Sequence, residues 1–101
     1  VHADVALGAA YEGPPGLVHG GVAALLLDHL MGETASAGHS RVTLTGTLTL
    51  RYRRGTPLGP LRLDGRIDRE DGRKVYVVAT LGDAEGVTVE ADGVFIIPRW
   101  A

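Results

Sequence analysis

From about Val22 to Met31 the chain is apolar nearly all round a helix, with Val22, Leu25, Leu26 and Leu30 on one face and Ala24, Leu27 and Met31 on another. A helix of that kind is normally buried. From residue 42 the period changes to two, and Val42, Leu44, Gly46, Leu48, Leu50 and Tyr52 alternate with Thr43, Thr45, Thr47, Thr49, Arg51 and Arg53. Such alternation, rich in β-branched residues, reads as a long half-polar strand. It puts Thr45 on the face opposite Leu44 and Leu48, unless the chain kinks at Gly46. A helix of about ten residues spans only about 15 Å and cannot cover both faces of a sheet built from such strands. The uncovered surface needs polar residues or a second subunit.

Glycine and proline set out the remaining elements. Residues 3–12 offer a short first strand, and Gly13-Pro14-Pro15-Gly16 then belongs to neither helix nor sheet. Leu17-Val18-His19-Gly20-Gly21 leads into the helix. Past the turn at Gly55-Thr56-Pro57, Leu61, Leu63 and Ile67 mark a strand that ends at Asp71-Gly72, a hairpin signal. Val75 to Leu81 and Val87 to Ile97 are the last two strands, with a turn at Asp83 to Gly86 between them. There is no internal repeat and no linker, and 101 residues are expected to form a single domain, 1–101. The class is α+β.

Composition closes off several functions. With no cysteine, a disulfide scaffold, a zinc–cysteine site and a thiol nucleophile are excluded. The longest apolar run, Val22 to Leu27, is far short of a membrane span, so no membrane partner is expected. Nothing at the start resembles a secretion signal, which fits a cytoplasmic location. Residues 41–62 hold five arginines and no acid, a stretch that could meet an anionic ligand. A sequence pI near 6.0 and only five aromatics argue against nucleic acid. The chain lacks Asn and Gln and has a single Lys, a bias that suits heat adaptation or a GC-rich genome equally.

Two features could carry chemistry. His19-Gly20-Gly21 opens the helix, where the first amides have no internal partner and the dipole favours a carbonyl oxygen becoming an oxyanion. The plainer reading is that Gly-Gly merely turns the chain. Asp28 is the single acid within the apolar helix. A desolvated carboxylate there could act as base or nucleophile, whereas a solvent-facing or arginine-paired one would not. Gly20 and Asp28 are eight residues apart, roughly 12 Å along a helix. An oxyanion donor and an attacking group must both lie near 3 Å from one reacting centre. If both are catalytic, Asp28 must therefore come from a second copy, and the enzyme is at least a dimer. His29 sits about 100° round the helix from Asp28, and neither it nor His39 is assigned a role. No spacing resembles a metal site.

The run Glu12-Gly13-Pro14-Pro15-Gly16-Leu17-Val18-His19-Gly20-Gly21, with Asp28 nine residues after His19, resembles the hotdog-fold acyl-CoA thioesterases. It is especially similar to the phenylacetyl-CoA thioesterase type and to the vertebrate long-chain acyl-CoA thioesterases. The likeness continues through Thr45, Tyr52-Arg53-Arg54 and Pro57, then Glu70-Asp71-Gly72-Arg73-Lys74, then Val94-Phe95-Ile96, and covers about residues 11–97. The resemblance implies a hotdog fold, one long central helix against a curved antiparallel sheet of about five strands, assembled as a dimer and commonly a tetramer. It implies that Gly20 donates its amide to the thioester carbonyl, that His19 helps to fix that turn, and that Gly21 contributes to binding the CoA substrate. Asp28 from the neighbouring subunit would act as base or nucleophile, and Thr45 would orient the water. Arg73 and Lys74 lie where relatives often hold CoA phosphates.

The expected function is hydrolysis of an acyl-CoA thioester with no metal and no cofactor. Two alternatives stand beside it: a hotdog hydratase or dehydratase acting on an acyl thioester, and a non-catalytic acyl-CoA binding module.

Overall fold

The computed structural model describes residues 1–37 and 42–100, so His39 lies outside the described residues. Strand β1 (His2–Leu7) is followed by a 3-10 turn (Ala9–Tyr11), helix α1 (Gly20–Ala37), and strands β2 (Leu44–Tyr52), β3 (Gly59–Asp71), β4 (Lys74–Asp83) and β5 (Gly86–Ile96). All pairings are antiparallel, in the spatial order β1-β3-β4-β5-β2, which leaves β1 and β2 as the edges. One helix against a five-stranded antiparallel sheet is the expected architecture.

The element ends differ from the sequence reading for local reasons. The first strand stops at Leu7 rather than continuing to residue 12, because Ala9–Tyr11 coil into a 3-10 turn. The helix runs to Ala37 rather than Met31 because its last turns are packed. Thr34 and Ala35 are buried, and the Thr34 hydroxyl bonds back to the Leu30 carbonyl at 2.8 Å. Burial outweighs the weak helix propensity of Gly32, Thr34 and Ser36 there. Gly65 of β3 lets that turn approach, since a Cβ at Gly65 would lie 2.6 Å from the Thr34 hydroxyl.

Only one stripe of α1 is fully covered. Ala23, Leu27, Leu30, Met31, Thr34 and Ala35 are buried against Leu63, Val75, Val77, Leu81, Val89 and Phe95 of the sheet. Leu25 is 68% exposed, so the all-round apolar helix is not buried all round within one chain. The outer face of the sheet is polar instead of covered. Arg51 pairs with Glu90 and Asp92, Arg62 with Asp64, Arg66 with Asp68, and Arg69 lies over the Tyr76 ring.

Strand β2 departs from strict alternation in a way that matters for the site. Thr45 pairs with Phe95 and Thr47 with Val94, so Gly46 is the extra residue of a β-bulge. Beyond it Leu48, Leu50 and Tyr52 pair with Gly93, Ala91 and Val89, all on the helix side. Phe95 is buried on that side too. The bulge therefore turns Thr45 onto the same face as Leu48 and opposite Leu44, correcting the parity read from sequence. Any larger residue at 46 would crowd this kink, as a Cβ there would sit 3.1 Å from the Val94 carbonyl.

Candidate active site

The helix start is assembled from the loop before it. The Glu12 carboxylate accepts a bond from the Gly16 N–H at 2.7 Å, and the Gly13 N–H donates to the Leu17 carbonyl, folding Gly-Pro-Pro-Gly into a compact turn. Gly16 takes a φ of 78°, which suits glycine. Val18 N–H donates to Thr56 and His19 N–H to Tyr11, each at 2.8 Å, anchoring the entry to the helix. Gly13 lies so close that a Cβ there would be 3.0 Å from the His19 Cα.

At the helix N-terminus the amides are shared out unequally. Val22 and Ala23 N–H donate to the His19 carbonyl, and Gly21 N–H donates to His19 Nδ1 at 3.0 Å. Among the described residues the Gly20 N–H has no acceptor. It is left free at the positive end of the helix dipole, where an added carbonyl oxygen would be stabilised. The His19 ring covers Gly21 so tightly that a Cβ there would lie 3.2 Å from Nδ1. Beside the free amide is an apolar cleft of about 220 Å³, walled in part by Pro14, Leu17, Ala23 and Tyr52. Arg54, on its rim, is tied to Asp83 and to the Gly86 carbonyl. That pairing holds the Asp83 carboxyl below its usual range.

A second cluster forms two helical turns along. The Thr45 hydroxyl donates to Asp28 Oδ1 at 2.8 Å, an interaction the Gly46 bulge makes available. Asp28 is half-buried and opens onto a groove with Gly32, Ser36, Val42 and Thr43. His29 turns away to Glu33, at 3.6 Å. Asp28 and the Gly20 amide remain roughly 12 Å apart on one helix.

The structure thus brings His19, Gly20 and Gly21 together, and separately Asp28 and Thr45. Arg73 and Lys74 stand apart from both groups, exposed after the turn at Gly72; Lys74 pairs with Ile96, on the face away from the helix. Sequence reasoning gave no role to Tyr52, whose hydroxyl donates to the Gly20 carbonyl at 2.8 Å. Its signal was the parity it shares with Leu48 and Leu50, a phenol ending an apolar row. No group of three or more His, Asp or Glu able to hold a metal occurs among the described residues. Nor, among those residues, is any helix long and apolar enough to cross a membrane.

Comparison with known proteins agrees with this architecture. The family model described as the thioesterase superfamily matches residues 15–90, and the chain belongs to that family. Human acyl-coenzyme A thioesterase THEM5 is 33% identical over 93 residues, covering 88% of this chain and 37% of its own length. The chain therefore spans little more than a third of that curated relative. A crystal structure of a thioesterase superfamily protein superposes with a TM-score of 0.88 at 42% identity, covering 94% of this chain and 50% of the other. Protein smu.793 of Streptococcus mutans, solved bound to acetyl CoA, has the same fold, with a TM-score of 0.90 at 19% identity over 97% of this chain and 80% of its own.

Proposed function

We propose that residues 1–101 form a single hotdog thioesterase domain that hydrolyses an acyl-CoA thioester, with each site shared between two copies. The observation that carries this reading is the division of the helix N-terminus, where His19 takes the Gly21 N–H and leaves the Gly20 N–H free. That amide would bind the thioester carbonyl oxygen, and Asp28 of the partner subunit would act on the carbonyl carbon. Human THEM5, named as an acyl-coenzyme A thioesterase, supports the substrate class. An acyl-CoA substrate is compatible with the cytoplasmic location expected from the sequence.

The edge strand supplies a route to the dimer. Among the described residues β2 has no neighbour on its outer side, and Leu25, Leu44 and Tyr52 are exposed, at 68%, 50% and 55%. A long unpaired edge is a template for a second strand. Antiparallel pairing of two β2 strands about a two-fold axis at Thr49 would pair Leu48 with the partner's Leu50 and, across the Gly46 bulge, bring Thr45 towards the partner's Tyr52. It would bring the Thr45–Asp28 cluster of one copy to the Tyr52–Gly20 end of the other. A tetramer would add a further interface and leave this pair site unchanged.

The chemistry then balances simply. Water attacks the carbonyl carbon as Asp28 takes its proton, and the oxyanion rests on the Gly20 N–H. Collapse breaks the C–S bond, and the proton returns to the departing CoA sulfur. The Thr45 proton is committed to Asp28 Oδ1, so Thr45 orients the carboxylate and leaves Oδ2 to face the water. Attack by Asp28 itself would form an anhydride, which ¹⁸O labelling of the carboxylate would reveal. A hydratase or dehydratase would want Asp and His on one substrate, but His19 Nδ1 is engaged by Gly21. Arg73 and Lys74 would hold CoA phosphates only if the assembly brings a CoA tail to the Thr45 end of the sheet.

The test is thiol release from phenylacetyl-, hydroxybenzoyl-, short- and long-chain acyl-CoAs. Wild type should turn over at least one, and Asp28→Ala should lose on the order of 100-fold or more in kcat while keeping its fold and assembly. Unchanged turnover in Asp28→Ala would refute the mechanism. Saturable acyl-CoA binding with no release by wild type would favour a binding module.

A further inference from the structure

We infer that Tyr52 is a positioning residue for the oxyanion donor, clamping with His19 the two ends of the Gly20–Gly21 peptide unit. This rests on the thioesterase reading for its catalytic half, and on geometry alone for the clamp.

One peptide plane carries both contacts. Its carbonyl, that of Gly20, accepts from the Tyr52 hydroxyl at 2.8 Å. Its N–H, that of Gly21, donates to His19 Nδ1 at 3.0 Å. Each bond polarises the amide in the sense that strengthens the other. The Tyr52 ring also packs over Gly20, about 3.7 Å from where a Cβ would be.

The site needs such a restraint. The Gly20 N–H lies in the preceding peptide plane, whose oxygen accepts from Val22 and Ala23 and so is held only while the first helical turn is closed. That turn begins with two glycines, the least helix-stable of the ordinary residues. A serine or alanine would stiffen it, but a side chain at 21 would collide with the His19 ring. The clamp replaces the stiffness that the glycines forgo. It also separates Tyr52 from the role of donor, because its one O–H proton is spent on Gly20 and none remains for the oxyanion.

Tyr52→Phe tests this, since it removes the hydroxyl and keeps the ring on a half-exposed site. Two readouts are taken on the same protein: steady-state thioesterase kinetics, and hydrogen exchange of the Gly21 and Val22 amides without substrate. Exchange of both amides should quicken several-fold, and kcat should fall roughly tenfold with KM within about twofold. Exchange unchanged by the substitution overturns the clamp, even in an active enzyme. Faster exchange with kcat unaltered overturns the positioning role. A rise in KM with kcat intact would mean that Tyr52 touches substrate, which also contradicts it. Failure of the wild-type chain to cleave any acyl-CoA would instead remove the thioesterase reading and the catalytic half of this inference, with the exchange result still deciding the clamp.

Discussion

Thr45 donates one hydrogen bond to Asp28, and its value to the proposed reaction is measurable. Replacing it with Val keeps the β-branched shape and removes the donor to Asp28. Hydrogen bonds to charged groups contribute about 1.5–3 kcal/mol, so Thr45→Val should lower kcat by about tenfold or more with little change in KM. Turnover at the wild-type rate would show that the carboxylate orients itself. At this scale Gly20, His19 and Asp28 stand out in the sequence as candidates, because a Gly-Gly helix start and a lone acid in an apolar helix are both local anomalies. Tyr52 was hidden because its partner is a backbone carbonyl 32 residues away, and no side-chain pattern announces such a bond. Arg73 and Lys74 were named only by likeness to a family, and within one chain they touch neither cluster.

Among the elements, β2 carries the most consequence. Its bulge at Gly46 decides which face Thr45 joins, and alternation alone pointed the other way. A β-branched residue at 46 would meet the Val94 carbonyl at about 3.1 Å and the Ile96 side chain. Gly46→Val should therefore cost about 1–3 kcal/mol and reduce activity further than Thr45→Val, because the whole end of the strand must shift. Retention of both stability and activity would mean that the bulge can move elsewhere. Helix α1 is a mixed case. Its existence was legible in the apolar run but its buried face was not, since Leu25 is exposed while Ala23, Leu27, Leu30 and Met31 are covered, and its last six residues are helical through tertiary burial that propensity cannot foresee. Leu27 is fully buried at the centre of that face, and Leu27→Ala should destabilise by about 2–5 kcal/mol in a thermal melt.

Exposed ion pairs on the sheet and its turns carry a defined pH signature. Hydrogen bonds from Arg54, Arg62 and Arg53 lower the folded-state values of Asp83, Asp64 and Glu90 respectively. Depressed carboxyl values add stability above the unfolded value, near 4, and that stability is lost as pH falls through the folded values. Melting temperature should thus decline on acidification below about pH 4, and less steeply in Asp83→Asn. A profile unaltered by that substitution would show the Arg54–Asp83 pair to be idle.

At the scale of the whole molecule, the proposed site is divided, because one chain holds the Gly20 amide and the Asp28–Thr45 pair as separate clusters. Length points to a single small domain, whereas the proposed sharing of a site between copies rests on the roughly 12 Å between Gly20 and Asp28. Complementation addresses it directly. Gly20→Pro removes the free N–H at the first helical position, where proline is tolerated, and Asp28→Ala removes the carboxylate. Each variant alone should be nearly inactive. Mixed under exchange, half of the dimers would be hybrids with one intact site, and activity should recover to about a quarter of wild type. A mixture that exchanges subunits and stays inactive would contradict a site built from two copies.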